Sequence, residues 1–256
     1  LRVFFSANRQ FLAEWSFTFD PHSLLTANND LLNFMRLQLQ LTPTTQPVPF
    51  DHLHQLTGAL HKWLGQNDIH DGLSLYSFGW LRGGESRKDS LRFPRGATWN
   101  ISFFDNEKAR QLLKGMLDQP ELGFGMRIFE IREIAPPSFR SHHYFLTDGS
   151  SIVIRQKRPD GSRAYLLWDD PATDQALTLS FQRKLTAAGF SGADLGAIVS
   201  FDRTYQNART RKIAIKGTNH RGSECPVIVE GTPDTLHFAW TVGLGELTGS
   251  GFGALR

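Results

Sequence analysis

Between Met35 and Leu41 apolar and polar residues alternate one by one, as Met-Arg-Leu-Gln-Leu-Gln-Leu. A period of two sends neighbouring side chains to opposite faces of a strand, so this segment predicts a half-buried β-strand. The pattern then changes. Leu53, Leu56, Leu60 and Leu64 recur at three and four residues behind Asp51, which predicts an amphipathic helix capped by that aspartate and ending at Gly65. Leu73–Leu81 and Ala97–Asp105 alternate again and are rich in strand-favouring rings: Tyr76, Phe78, Trp99 and Phe103. Glu107–Leu117 returns to helical spacing, and Gly125–Ile134 reads as a further strand.

Strand, helix, strand, strand, helix, strand is the split βαβ order of a ferredoxin-like domain. Pro136-Pro137 then punctuates the chain, and a second round of short elements follows. Strands are expected at His143–Thr147, Ile152–Lys157 and Ala164–Trp168, the last two joined by the turn Arg158-Pro159-Asp160-Gly161. Helices are expected over Asp174–Ala188 and Ala193–Phe201, and closing strands over Lys212–Lys216, Val227–Val229 and Leu236–Leu244. The predicted fold class is therefore α+β, with one ferredoxin-like plan used twice, over residues 35–135 and 136–256. Residues 1–34 show no clear period and do not begin with methionine. They are expected to be a non-native or unstructured extension, with Met35 as the native start.

Composition narrows the class. Apolar residues make up 40% of the chain and charged residues 21%, as in an ordinary soluble globule. No apolar run approaches the roughly 20 residues of a membrane span, so no membrane partner is expected. The single cysteine, Cys225, can form neither an internal disulfide nor a cysteine-based zinc site, which fits a reducing cytosol; the expected localisation is cytoplasmic and no cofactor is expected. The net charge is only +3, yet residues 203–223 carry Arg203, Arg209, Arg211, Lys212, Lys216 and Arg221 without one acidic residue. Such a stripe suits a polyanion, or simply a solvated face.

Residues 241–256 hold two Gly-apolar-Gly units, Gly243-Leu244-Gly245 and Gly251-Phe252-Gly253, with Gly249 between them. Glycines allow positive φ and let bare N–H groups approach a phosphate chain, while each central apolar residue can anchor the loop in a core. A dinucleotide-binding fingerprint would follow an early strand and open a helix, which this motif does not. Together with the early strand and a histidine after the first helix, the motif resembles the CRISPR-associated endoribonuclease family known as Cas six, of the RAMP superfamily, over residues 35–256.

That resemblance implies metal-independent cleavage of CRISPR repeat RNA. The ribose 2′-hydroxyl attacks its own phosphate, leaving a 2′,3′-cyclic phosphate and a 5′-hydroxyl. A base, an acid and a cation are needed, and histidine suits the first two. His70, between helix and strand and followed by Asp71, resembles the family's catalytic histidine. His61 on the helix is the alternative, with Lys62, Arg82 and Lys88 as candidate cations and Tyr76 to orient a ribose or donate a proton. The glycines Gly243, Gly245, Gly249, Gly251 and Gly253 are expected to cradle RNA. Arg155, Lys157 and Arg158 at the predicted turn, with Arg209, Arg211 and Lys212, are expected to grip it.

Two metal-dependent readings are weaker in the residues. His70-Asp71 lacks the further helical ligands of HD phosphohydrolases, and Asp169-Asp170 is explained by a turn before Pro171. Gly123–Phe129 echoes the aromatic strand motif of RNA recognition domains, so a non-catalytic guide-RNA-binding protein of a CRISPR effector complex is the competing function. Expected partners are repeat RNA or its processed CRISPR RNA, with other CRISPR effector or adaptation proteins as further candidates. The chain would act as a monomer or homodimer.

Overall fold

A computed structural model describes residues 2–4, 34–67, 69 and 72–256 of the chain. The first half contains β1 (Arg2–Phe4), β2 (Met35–Leu41), β3 (Val48–Pro49), α1 (Leu53–Leu64), β4 (Tyr76–Phe78), β5 (Glu85–Arg87), β6 (Ser90–Arg92), β7 (Ala97–Phe103), α2 (Asn106–Asp118), β8 (Glu121–Gly123) and β9 (Met126–Glu133). Its main sheet runs β1-β9-β2-β7-β4, with every neighbouring pair antiparallel. The alternation read from sequence decides which face is covered. Leu37, Leu39 and Leu41 are buried under the helices, while Gln38 and Gln40 look the other way.

On α1 the leucine stripe is buried together with Ala59 and Trp63. Its N-cap is His52, which makes no side-chain cap bond, in place of the expected Asp51. α2 is better capped, because the Asp105 carboxylate accepts from the Glu107 and Lys108 N–H groups. The two helices meet at Gly115, where a Cβ would lie 1.9 Å from the Trp63 carbonyl oxygen. Only glycine permits that approach.

The second half contains β10 (His142–Phe145), β11 (Ile154–Lys157), β12 (Arg163–Leu166), α3 (Thr173–Ala187), β13 (Ile198–Phe201), β14 (Arg209–Ile215), β15 (Thr218–Glu224), β16 (Val227–Glu230) and α4 (Pro233–Val242). Its central sheet runs β10-β16-β13. The chain end extends it, since Leu146 and Arg256 exchange backbone bonds of 3.2 and 2.8 Å and the Asp148 N–H donates to Ala254 at 2.8 Å. Two hairpins, β11-β12 and β14-β15, stand off this sheet.

Two expectations are corrected here. Leu236–Leu244 is not a strand, because α4 runs through it. Thr232 caps the helix by accepting from the Thr235 N–H, Pro233 occupies its first turn, and Gly243 ends it at φ 69°. Its side chains are buried nearly all round, which erases the period that marks a surface helix. Ala193–Phe201 splits into a 3₁₀ turn at Gly192–Gly196 and strand β13. Within the segment read as an extension, residues 2–4 pair with β9, and Phe34 packs its ring 4.1 Å from that of His237.

Candidate functional site

The glycine-rich segment after α4 lies between the halves, and its two apolar anchors go to different places. Leu244 is buried in the core of the second half, and Phe252 in the core of the first. Gly243, Gly245, Gly251 and Gly253 all have positive φ, as expected. What forces glycine, however, is protein. A Cβ on Gly253 would meet the Leu244 carbonyl oxygen at 1.9 Å, and one on Gly245 would meet that of Val153 at 2.5 Å. Gly249 is equally tight against Tyr76.

All five glycines are buried. The N–H groups of Gly243 and Gly253 donate to Ala239 and Ser151 at 2.9 Å each. The expected cradle of bare N–H groups is thus turned inward at these positions, and the segment acts first as a wedge.

Side chains of β4 and its continuation hold the wedge. Ser77 Oγ donates to the Thr241 carbonyl at 2.7 Å, and Trp80 Nε1 to that of Gly251 at 2.7 Å. Tyr76 Oη lies 3.4 Å from the Gly249 carbonyl, while its ring stacks on Phe103 at 4.9 Å. Burial pushes the Tyr76 phenol up to about 12, so it stays protonated near neutrality. Its hydroxyl supports the loop, and its side chain also borders the cavity described below.

Three buried charges surround the wedge, and sequence reasoning gave none of them a role. Lys184 on α3 points its Nζ at the Val242 and Gly243 carbonyls, both at 3.4 Å, and at Thr248 Oγ1 at 3.1 Å. Burial pulls its pKa down to about 7, partly opposed by Glu246. Arg36 donates to Ser102 Oγ at 2.7 Å and to the Trp240 carbonyl, and its guanidinium lies 3.6 Å from the Trp240 ring centroid. Asp148 accepts from Asn100 at 2.7 Å and Arg82 at 3.1 Å, so Arg82 is engaged in joining the halves. A signal for Lys184 existed: it shares the buried face of α3 with Leu177, Phe181 and Leu185.

A cavity of about 820 Å³ opens beside this region. Its walls are Ile69, Gly72, Leu73, Leu75 and Tyr76, then Phe103 and Phe104 with Asp105, Asn106, Glu107, Lys108 and Arg110 at the start of α2, and Ala187 and Ala188 at the end of α3. His70 and Asp71 lie outside the described residues, but their neighbours Ile69 and Gly72 both line this cavity. His61 is half-buried and Lys62 exposed in the last turn of α1, and neither lines it. Lys108 and Arg110 are cations of the wall that the sequence did not single out. Among the described residues no group of three or more His, Cys, Asp or Glu side chains is placed to hold a metal ion, and no helix is long and apolar enough to cross a membrane.

The expected RNA-gripping residues fall into two sets. Lys157, Arg158 and Lys212 are exposed on the two hairpins. Arg155, Arg209 and Arg211 are held by carboxylates: Arg155 by Glu246, Arg209 and Arg211 both by Glu224, the latter at 2.8 Å. The Arg211 guanidinium also sits 5.4 Å from the Trp80 ring centroid, across the two halves. These three arginines have structural partners already, which the run of basic residues concealed because Glu224 and Glu246 lie outside it.

Residues 134–256 match the profile of the family described as CRISPR associated protein Cas6, C-terminal. Residues 134–256 therefore form a Cas6 C-terminal domain. This relation supports CRISPR RNA processing or RNA binding. Solved structures share the mixed α/β fold with antiparallel sheets. A Cas6-related protein from Pyrococcus furiosus superposes with a TM-score of 0.76 at 19% identity, over 88% of this chain and 98% of that one. A second CRISPR-associated Cas6 protein gives 0.73 at 21% identity, over 88% and 99%. A RAMP protein described as binding different RNA substrates gives 0.72 at 19%, over 87% and 98%. No curated protein sequence matches the chain.

Proposed function

We propose that this chain is a Cas6-family endoribonuclease that cuts CRISPR repeat RNA without a metal ion, and that both halves are ferredoxin-like units divided near Pro136. The observation that carries the reading is the large cavity between the halves, lined by the residues on either side of His70 and by Lys108 and Arg110 at the start of α2, next to Asp105 and Glu107. In the proposed reaction His70 takes the proton of the ribose 2′-hydroxyl, the oxygen attacks the adjacent phosphorus, and the 5′-oxygen leaves with a proton. Lys108 and Arg110 supply positive charge where the phosphorane develops. His61 remains the alternative base. Lys157, Arg158 and Lys212 bind phosphates outside the cavity.

The test is cleavage of CRISPR repeat RNAs of the source genome in EDTA. His70→Ala is expected to lower the rate about 10²- to 10⁴-fold while RNA affinity stays within a few-fold. Full activity of that variant would remove His70 from the role. No cleavage by the intact chain, with binding retained, would establish the guide-RNA-binding alternative.

A further inference from the structure

Phe129 ends the stretch that echoes an RNA-recognition strand, and the active-site reading gives it nothing to do. β9 breaks register there: Gln40 faces Glu130 and Leu41 faces Ile128, which leaves Phe129 as the extra residue of a bulge. A bulge re-aims the side chain it carries. The Phe129 ring is 41% exposed and lines a groove of about 450 Å³ on the sheet face away from α1 and α2. Gln38, Gln40 and Thr98 line the same groove, with Arg82 and Arg95. It shares no lining residue with the larger cavity.

Its floor is a chain of amides. Thr98 Oγ1 donates to Gln40 Oε1 at 3.1 Å, Gln40 Nε2 to Gln38 Oε1 at 3.2 Å, and Gln38 Nε2 to Asn100 Oδ1 at 3.2 Å. Asn100 in turn donates to the buried Asp148, which anchors the row. Each carboxamide nitrogen has two protons and uses one along the row, so the row can present donors and acceptors to a ligand. The neighbouring Glu130 is matched by Arg132 through two bonds of 2.8 Å. An aromatic face beside an ordered donor and acceptor row, rimmed by arginines, fits a base that is stacked and read along its edge.

We propose that this groove binds one unpaired nucleobase of single-stranded RNA, its ring on Phe129, its edge on the Gln38 and Gln40 amides, and the adjoining phosphates beside Arg82 and Arg95. The inference rests on the reading of the chain as an RNA-binding protein and adds a base-reading subsite apart from the cavity.

The experiment selects RNA from a randomised pool on the full chain, then measures binding of the enriched RNA, and of copies each lacking one base, by fluorescence anisotropy. Phe129→Ala should weaken binding about 5- to 100-fold with an unchanged melting temperature, and Phe129→Tyr should restore it. On one abasic RNA the loss should vanish, because the base that stacks is already gone. Gln40→Ala, a second variant on a separate strand, should change the base enriched at that same position. Wild-type affinity for Phe129→Ala, or an equal loss on every abasic RNA, overturns the subsite while leaving RNA binding intact. A wild-type chain that enriches no RNA removes the parent reading, and this inference with it.

Discussion

The glycine-rich segment at 243–253 and the β14-β15 hairpin at 209–224 both looked like RNA contacts, and they are built in opposite ways. The glycines of the first are buried and pack against carbonyls and side chains of the protein itself. The second projects Lys212, Lys216 and Arg221 into solvent along a regular two-stranded ladder. Glycine is required where backbone meets backbone, whatever the ligand. Exposed cations have no packing reason to be there. The contrast therefore assigns integrity of the two halves to the first region and makes the second the proposed place of phosphate contact.

The strongest way to break this comparison is Gly253→Ala. A Cβ 1.9 Å from the Leu244 carbonyl oxygen, at φ 63°, combines overpacking with left-handed strain. A loss of about 2–5 kcal/mol in chemical denaturation is expected. A variant as stable as wild type but deficient in RNA binding would return the segment to the role of a cradle.

Lys184→Met sharpens the point through pH. The folded chain holds Lys184 near pKa 7 against 10.5 unfolded, so between those values the unfolded state binds the extra proton and stability rises with pH. Wild type should gain on the order of 1 kcal/mol per pH unit relative to Lys184→Met across that window. Parallel stability profiles would show that the lysine is not desolvated beneath the loop. In the same way His237, pulled down to about 4 by burial with Arg36 adding to it, should cost stability as pH falls from 6.5 toward 4. His237→Phe should flatten that limb of a thermal denaturation series.

The smallest effect on stability belongs to the hairpins. Lys157→Ala with Lys212→Ala should shift unfolding by no more than about 0.5 kcal/mol. The same pair should lower the slope of log affinity against log salt by about 1 for each phosphate that is no longer neutralised. An unchanged slope would mean that the hairpins do not touch the backbone of the RNA.

Much of the first half was legible because its elements are half-buried. β2 begins and ends where its alternation does, and the α1 stripe is the buried face. α4 was misread for the converse reason: Leu236, Phe238, Ala239, Trp240 and Val242 are buried on all sides, so no period survives. The glycine motif was visible, and its anchors were correctly expected to enter a core, but sequence cannot tell a phosphate from a carbonyl as the reason for a missing Cβ. The charges at the centre were hidden too. Arg36 looked like the polar side of a strand until α4 covered it, and Asp148 drew no expectation at all, because its partners Asn100 and Arg82 lie far away in the chain.

The division of Leu244 and Phe252 between two cores bears on how the chain is made. A nascent first half normally folds as soon as it leaves the ribosome. Here that half emerges with an empty socket between Phe78 and Leu53, and Gly251-Phe252 arrives to fill it only after the entire second half has been translated. The first core is therefore closed by a residue that the chain supplies long after most of that core.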